Sequence, residues 1–512
     1  MLGVEGSFVY KSPCLRCLCV EGLNRGSLRP AAINGMNEGQ EDQTTEPVGV
    51  PAQLLETAAA VPASARFFQR TDWLTSAMTT VLVFVGYFLA LPPEVTFENS
   101  GIFSAAAMYG GVAHPPGYPV RSIYGWLFTV PLPVSNIAWR LAVASAVAGA
   151  LTCGVIALMV SRGGASIVEG LPGFRRLSPK EEQLLRAGCG CVAGLAFGFN
   201  GGFWNMAVVV GAWPLSLLLL SIVLCLLMRW LYRPERKRFL YAAIFAYGLT
   251  ISNSQAMIPA VLGLQFMVML GDRKFGRDIF CLDTFMIVMI LAADRLGALQ
   301  TLHDPFTNLK AFYRWTAVGT ALLGGGLVVK TRGLLTEWKP ASFAGIAFLL
   351  GAAACLSLPI VSMTNPPVNW GYPRTVEGLF HVLTRGQFER IMPTDSLARY
   401  LRQWVLYGKV TLEEFGFCAS VIALIPALSI RRLKGLERSW ILGLSAVWTC
   451  LTLLLVIVLN PDGDRWDFMP IFFSASHLIL AVWMGYGLIL LGSFLTRPRI
   501  PLHSGSESQI KP

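Results

Sequence analysis

The residues best suited to chemistry lie in a polar segment early in the chain. Within residues 92–101, Glu94 and Glu98 follow directly on a long apolar run. A carboxylate beside a polar substrate can take a proton as a general base. Ordinary solvation of two interfacial carboxylates explains the same pattern, so the residues alone leave both interpretations open.

The same polar segment continues into a rigid corner. Residues 114–119 read His-Pro-Pro-Gly-Tyr-Pro and follow a stretch of small residues. The two prolines fix extended backbone, and Gly117 can take a positive φ. We expect His114 to be held on this corner between two short helices.

A second polar segment, residues 364–390, combines arginines with aromatic residues. Arg374 and Arg385 carry the planar guanidinium group that can make two parallel hydrogen bonds to a phosphate. Trp370 and Tyr372 are typical interfacial anchors. The two interpretations are compatible, and together they predict that a phosphorylated head group binds here at the bilayer surface.

Signals elsewhere are thinner. Asn253 and Gln255 lie near a short turn between two apolar runs, where they could touch a ligand or only close the turn. The sequence has no phosphate-binding glycine loop, nucleophile elbow or zinc signature. Cys14, Cys17 and Cys19 lack a second ligand pair, so no metal site is predicted. The other eight cysteines lie in or beside apolar runs, as small hydrophobic residues do.

Membrane-spanning helices must position these residues. The chain has 512 residues, 54% hydrophobic and only 14% charged, which is more apolar surface than one soluble core could hide. A spanning helix needs about 20 mostly apolar residues. Such runs predict an all-α polytopic membrane protein with about twelve transmembrane helices. They lie near residues 74–91, 138–160, 187–205, 215–228, 239–251, 256–270, 279–293, 316–329, 343–363, 415–428, 441–458 and 471–491.

Basic clusters between the apolar runs predict the orientation. Short loops rich in Lys and Arg stay in the cytoplasm, so both termini are predicted to be cytoplasmic. Residues 92–136, 294–314 and 364–414, with a shorter stretch at 460–467, then face outward. The net charge of +11 is divided among these clusters rather than gathered on one polar domain, which argues against nucleic-acid binding.

The chain is predicted to have three parts. Residues 1–70 are rich in Gly, Pro, Asn, Gln and Glu, which is typical of a disordered cytoplasmic tail or a mis-annotated start. Residues 71–495 form the multi-span membrane domain. Residues 496–512 form a second cytoplasmic tail.

Strings spread over most of the chain after this tail carry a resemblance to a known family. They are Glu-Asn-Ser-Gly at 98–101, Gly-Val-Ala-His-Pro-Pro-Gly-Tyr-Pro at 111–119, Asn-Ile-Ala-Trp-Arg at 136–140, Phe-Trp at 203–204, Ser-Asn-Ser-Gln at 252–255, and Asn-Pro-Pro-Val-Asn-Trp-Gly-Tyr-Pro-Arg-Thr at 365–375. Together they resemble the membrane family of domain of unknown function 2723, which includes the eukaryotic transmembrane protein 260, a protein O-mannosyltransferase.

The resemblance implies a C-type glycosyltransferase fold. Such a multi-helix membrane enzyme uses a polyprenyl-phosphate sugar and has its active site on the outer face. An acidic residue in its first outer loop acts as a base or orients the acceptor, and two short helices follow, which residues 102–109 and 120–130 fit. The family's occurrence, with the lack of organelle signals, favours a bacterial inner (cytoplasmic) membrane.

The sequence departs from the family pattern at the acids. Asn99 stands where the family usually has Asp, and Ile102 where it has Glu. A second family acid, in a Glu-Val-Tyr motif, is replaced by Gly211, and a family His by Ser254. Asn cannot take a proton as a base, so either Glu98 substitutes or this member is catalytically altered.

The leading hypothesis is therefore a glycosyltransferase, of mannosyltransferase type, that moves a sugar from a polyprenyl-phosphate lipid to a protein or glycan acceptor on the outer face. Displacing the phosphate requires no organic cofactor and leaves a divalent metal ion open. The proposed catalytic residues are Glu98, Asn99 and His114, the donor phosphate ligands are Arg374 and Arg385, and the other substrate contacts are Tyr118, Gln255, Asn369, Trp370 and Tyr372.

Two alternatives remain at this stage. A transporter or flippase for a lipid-linked saccharide would bind the same head group, and Asp283 is the clearest charge inside a predicted span. A degenerate family member that only binds its ligand would explain the missing acids.

Overall fold

The computed structural model describes residues 67–97, 99–170, 177–297, 310–385, 393–461 and 470–495. Within these ranges every regular element is a helix, and one isolated parallel bridge joins Val112 to Asn369. The prediction of an all-α protein is confirmed for this part of the chain.

The α-helices are numbered here in chain order. In the first half they are α1 (Arg70–Leu89), α2 (Ser100–Tyr109), α3 (Pro119–Thr129), α4 (Ile137–Gly170), α5 (Pro179–Gly198), α6 (Gly201–Val208), α7 (Trp213–Leu231), α8 (Arg238–Asn253) and α9 (Ala260–Gly271). In the second half they are α10 (Arg273–Arg295), α11 (Lys310–Thr331), α12 (Trp338–Ala352), α13 (Ser357–Met363), α14 (Val376–Leu383), α15 (Leu397–Leu428), α16 (Gly435–Thr449), α17 (Leu455–Leu459) and α18 (Pro470–Leu495).

Seven helical segments in the described ranges are long and apolar enough to cross a membrane. They are Arg70–Leu89, Ile137–Glu169, Trp213–Leu231, Trp338–Met363, Leu397–Leu428, Gly435–Leu459 and Pro470–Gly492. The helices α5 and α6, bent by 69° at their junction, raise the number to eight if they count as one span. These helices confirm an integral membrane protein, but the predicted number of about twelve spans is not confirmed.

The remaining predicted spans fall on helices that are short or less apolar. The helices α8 and α9 have 16 and 12 residues, too few to cross a hydrocarbon layer about 30 Å thick at 1.5 Å per residue. The helices α10 and α11 are longer, with 23 and 22 residues, but do not reach the apolarity of the seven.

The helices α4 and α18 lie at the centre of the packing. In each, 83% of the most apolar stretch is buried inside the protein, against 17% for α12 and α15. The exposed apolar faces of α12 and α15 are suited to contact with lipid, because water would not accept so much hydrocarbon.

Local sequence explains where several helices begin. At α5, the Ser178 hydroxyl accepts from the Glu181 amide at 3.3 Å, and the Glu181 carboxylate accepts from the Ser178 amide at 2.7 Å. At α6, Asn200 Oδ1 accepts from the Phe203 amide at 3.0 Å. The break between α5 and α6 is therefore capped on the side that begins α6.

The predicted outer loop at residues 364–414 is partly wrong. It contains α14 and the first half of α15, which bends at Gly416, where φ is 73°. Arginine and lysine residues in this stretch interrupt the apolar pattern. The apolar run therefore did not predict that α15 begins well before it, at Leu397.

Two of the predicted outer segments are joined by backbone hydrogen bonds. The Val112 amide donates to the Val368 carbonyl at 2.8 Å, and the Trp370 amide donates to the Val112 carbonyl at 3.1 Å. Glycine is required beside this junction, because a Cβ on Gly111 would lie 2.5 Å from the Val368 oxygen. The corner that holds His114 therefore lies against the 364–374 segment.

One of the basic clusters that predict the orientation, at residues 273–277, includes a buried arginine. Arg277 and Asp278, in the first turns of α10, are fully buried and form an ion pair of 2.6 Å. The guanidinium group also donates to the hydroxyls of Thr331 and Thr336, both at 2.7 Å, and the Glu337 amide donates to Asp278 at 2.6 Å. Because each charge is matched, this cluster ties α10 to the α11–α12 connection.

Candidate functional site

A cavity of about 380 Å³ collects residues from distant parts of the chain. Five of the predicted site residues line it: Asn99, His114, Tyr118, Gln255 and Arg385. The rest of the lining is Phe103, Pro116, Met206, Val209, Val210, Gly211, Ala212, Trp213, Ser254, Ala256, Ile471 and Phe472. It includes Gly211 and Ser254, two of the positions at which the sequence departs from the family pattern.

His114 is held as the corner predicts, between the short helices α2 and α3. The Gly117 amide donates to the His114 carbonyl at 2.9 Å, and Gly117 has φ of 90°, the left-handed region that favours glycine. The imidazole is packed among three aromatic rings, with centroids at 5.2 Å for Phe103, 5.0 Å for Tyr118 and 6.4 Å for Trp370. The ring therefore has a fixed place in the cavity wall.

The environment of His114 keeps its ring neutral near pH 7. Burial, and then the positive charge of Arg385, lower the pKa of His114 to about 4. Its Nδ1 is buried and has no hydrogen-bond partner among the described residues. A neutral imidazole with an unused nitrogen can bind the hydroxyl of a ligand, either as donor or as acceptor.

Gln255 and Arg385 are brought to the cavity together. The Gln255 side-chain amide donates to the Leu383 carbonyl at the end of α14. Arg385, two residues later, has φ of 58°, which turns the chain after α14. The hydrogen bond between Gln255 and Leu383 therefore links the turn after α8 to the segment that carries Arg385, which belongs to a different predicted loop.

The other predicted residues of the second segment do not line the cavity. Arg374 is exposed, with its guanidinium 5.3 Å from the centre of the Tyr372 ring, and Tyr372 is exposed as well. Asn369 donates to the Ser362 carbonyl at 3.1 Å. Trp370 does not line the cavity, but its ring contacts that of His114. Of the two predicted phosphate ligands, the structure therefore brings only Arg385 to the cavity.

The acidic part of the prediction rests on Glu98, which lies outside the described residues. The next residue, Asn99, lines the cavity. Among the described lining residues there is no aspartate or glutamate. Likewise, the described ranges contain no group of three or more His, Cys, Asp or Glu side chains that could hold a metal ion.

Arg121, in α3, is a feature of the site that the sequence analysis missed. It is 1% exposed, and its Nε donates to the Gly211 carbonyl at 2.8 Å in the cavity wall. Its two terminal nitrogens have no hydrogen-bond partner among the described residues, and burial lowers its pKa to about 10, so it remains a cation. A buried positive charge thus lies directly behind a wall of the cavity, where it favours an anionic ligand.

A contact between the Glu414 carboxylate and the buried His477 imidazole supports the cavity from another side. Glu414 in α15 contacts His477 Nδ1 in α18 at 2.7 Å, and it accepts from the Asn200 side-chain amide at 2.8 Å. Asn200 caps α6, which carries the lining residue Met206. The sequence contained no local signal for this contact, because the partners come from three separated helices.

A second, mostly apolar cavity of about 400 Å³ adjoins the first. The two share Gln255, Ala256, Arg385 and Phe472 in their linings. A ligand could therefore place a polar group beside Arg385 and a hydrocarbon chain in the adjoining space.

The first of these cavities lies largely in a region that matches known proteins. Residues 99–275 match the family model for the protein O-mannosyl-transferase TMEM260 N-terminal domain. Mouse (Mus musculus) protein O-mannosyl-transferase TMEM260 is 23% identical over 252 residues, which are 48% of this chain and 32% of the mouse protein. The Dictyostelium discoideum protein O-mannosyl-transferase tmem260 is 31% identical over 86 residues, 16% of this chain and 10% of that protein.

The resemblance to the TMEM260 family is confirmed. The matched TMEM260 region holds Asn99, His114, Tyr118 and Gln255, whereas Arg385 follows it in the chain. The matches span about a third of the mouse TMEM260 protein and a tenth of the Dictyostelium one. No solved structure matches the chain.

Proposed function

We propose that this protein is a membrane glycosyltransferase that transfers a sugar, of mannose type, from a polyprenyl-phosphate lipid to a protein or glycan acceptor. The observation that carries the proposal is the cavity itself. Residues singled out for acceptor and phosphate binding, Asn99, His114 and Arg385, line one space although they come from separate parts of the sequence. The names of the TMEM260 relatives support the same reaction class.

The two adjoining cavities support a lipid-linked donor. Arg385 lines both, and its guanidinium can make charge-assisted hydrogen bonds to a phosphate. The apolar cavity beyond it can take the first part of a hydrocarbon chain. It shares Leu262, Thr316 and Leu454 with a larger space of about 920 Å³ between α9, α11 and α16, which offers the rest of the chain a path.

The proposed reaction is an inverting displacement. The acceptor hydroxyl oxygen forms a bond to the anomeric carbon of the sugar, and the bond from that carbon to the phosphate oxygen breaks. The phosphate leaves with the electron pair, and the hydroxyl proton passes to Glu98. Asn99 and His114 orient the acceptor, while Arg385 and the buried charge of Arg121 stabilise the departing phosphate.

The test of this mechanism is Glu98→Gln in the full-length protein in liposomes, assayed for mannose transfer from polyprenyl-phosphate mannose. Glutamine keeps the shape and hydrogen-bonding capacity but cannot take the proton. We expect transfer to fall by about 100-fold or more. The matched control is Glu94→Gln, on an exposed carboxylate of the same loop, which should leave transfer unchanged. Undiminished turnover by Glu98→Gln would exclude this role for Glu98.

The finer architecture belongs to the same proposal. We propose a C-type glycosyltransferase fold for residues 71–495, with cytoplasmic tails at 1–70 and 496–512 and the cavity at the outer face of a bacterial inner membrane. The joined segments at Val112 and Val368 support one shared side for the two predicted outer loops. Labelling of a cysteine introduced at exposed Tyr109 by a membrane-impermeant reagent in intact cells tests the orientation.

Two specific observations favour the alternatives. Asp283 lines two cavities between the helices, as a transporter or flippase of lipid-linked saccharide could require. The absence of an acid among the described lining residues favours a member that binds donor without turnover. Donor flux across liposomes without glycosidic product would support the transporter, and donor binding without transfer or flux would support the binding protein.

A further inference from the structure

A polar pair lies between two apolar cavities and has no place in the proposed reaction. Asp283 in α10 and Gln265 in α9 line both the cavity of about 400 Å³ next to the site and another of about 390 Å³. The second cavity is lined by residues of α7, α8, α9, α10 and α12. The pair therefore faces a space separate from the one lined by His114.

The Gln265 side-chain amide hydrogen-bonds to the Asp283 carboxylate, but each of the two side chains leaves one acceptor atom unused. Asp283 Oδ2 and Gln265 Oε1 are both buried and without a hydrogen-bond partner in the described structure. The rest of the lining of the 390 Å³ cavity is apolar except for Tyr247, whose hydroxyl donates to the Met257 carbonyl at 2.9 Å. Two acceptor atoms, one on each side chain, thus receive no donor from the other residues that line this cavity.

Such an arrangement is costly unless a ligand completes it. A buried acceptor without a partner loses its interaction with water and gains nothing in return. An ionisable residue among membrane helices is more costly still and is a candidate functional site by default. The hydrogen bond from Gln265 leaves Asp283 Oδ2 without a partner, so that contact alone does not account for a carboxylate among apolar residues.

We propose that Asp283 and Gln265 bind the hydroxyl group of a lipid alcohol whose hydrocarbon body fills the 390 Å³ cavity. A hydroxyl can donate to Asp283 Oδ2 or Gln265 Oε1, and it can also accept if the carboxyl is protonated. A phospholipid ester offers only acceptors and would leave both atoms unsatisfied. An ammonium group offers only donors and would suit the carboxylate but not the protonated carboxyl.

The first test uses the unaltered full-length protein in nanodiscs and a matched pair of probes. One probe is hexadecanol carrying a diazirine and an alkyne, and the other is its methyl ether, which has the same body but no donor. After photolysis, we expect the alcohol to label peptides of α9, α10 and α12 about fivefold or more above the ether. Equal labelling by the two probes, or preferential labelling by the corresponding amine, would overturn the proposal.

The second test uses variants. Asp283→Leu should reduce labelling by the alcohol to the level of the ether and leave ether labelling unchanged. Asp294→Leu removes a carboxylate of the same helix that pairs with Lys310 and lines neither cavity, so its labelling should match the wild type. Retained alcohol labelling in a folded Asp283→Leu would contradict the proposal. The probe comparison needs no sugar donor and no turnover, so its outcome is independent of the proposed transferase activity.

Discussion

Replacing Arg385 by glutamine tests two physical effects of one guanidinium group. Arg385 lines both the cavity of about 380 Å³ that holds His114 and the adjoining apolar cavity. Its charge also contributes to the low pKa of His114. Arg385→Gln keeps a polar side chain but removes the charge. The variant should therefore weaken donor binding and also shift the pH dependence of transfer.

The size of each effect follows from the contacts. A hydrogen bond to a charged group contributes about 1.5–3 kcal/mol, so the KM for the lipid donor should rise about 10- to 150-fold. The pKa of His114 lies at about 4 instead of 6.5 because of burial first and Arg385 second. Without Arg385 the pKa of His114 should rise, since a nearby positive charge disfavours the protonated ring. It should stay below 6.5, because burial remains.

The assay is transfer from polyprenyl-phosphate mannose between pH 4 and pH 8, with kcat and KM determined separately. In the wild type, protonation of His114 limits activity only as the pH falls towards about 4. In Arg385→Gln this acidic limb should move upward towards, but not beyond, pH 6.5. The free energy of unfolding should also fall as the pH is lowered. A histidine kept neutral by burial contributes its full stability above pH 6.5 and loses that contribution as the pH falls towards 4.

The matched control is Arg374→Gln, because Arg374 is exposed and lies outside the cavity lining. It should change neither the donor KM nor the acidic limb. The reasoning is refuted if Arg385→Gln leaves the acidic limb unmoved or shifts it to lower pH, or if Arg374→Gln reproduces both effects.

Two further substitutions probe the support of the site and its missing acid. Glu414→Leu should cost about 1.5–3 kcal/mol because His477 and Asn200 lose the carboxylate that they contact, whereas Glu413→Leu, in an exposed pair, should cost at most about 1 kcal/mol. Thermal unfolding in detergent measures both, and equal losses would contradict a supporting role for Glu414. Gly211→Glu should fold normally, because no atom lies within 4 Å of an added Cβ, and should raise the transfer rate by placing a carboxylate in the cavity wall. An unchanged or lower rate would argue against an acid acting at this position.

The sequence predicted the corner around His114 well because its determinants are local. The short helices α2 and α3 begin and end close to the expected residues, and Gly117 has the expected positive φ. Prolines and glycines restrict the backbone wherever they occur, so this geometry depends little on distant contacts.

The number of spans was harder to predict, because apolar runs do not show how far a helix extends or bends. Each predicted span falls on a helix, yet α8 and α9 are short, and α15 continues through a polar stretch that the sequence suggested was a loop. Whether a charged stretch is helical depends on which side packs against neighbours, and that is a tertiary property.

By itself, the sequence determined that the chain is a helical membrane protein and that its polar segments carry the candidate chemistry, because hydrophobicity and turn residues act over a few residues at a time. Only the tertiary structure decided that Arg385 rather than Arg374 joins His114, and that Asp283 meets Gln265. Those contacts depend on how separate helices pack against each other, and residue spacing along the chain does not predict that packing.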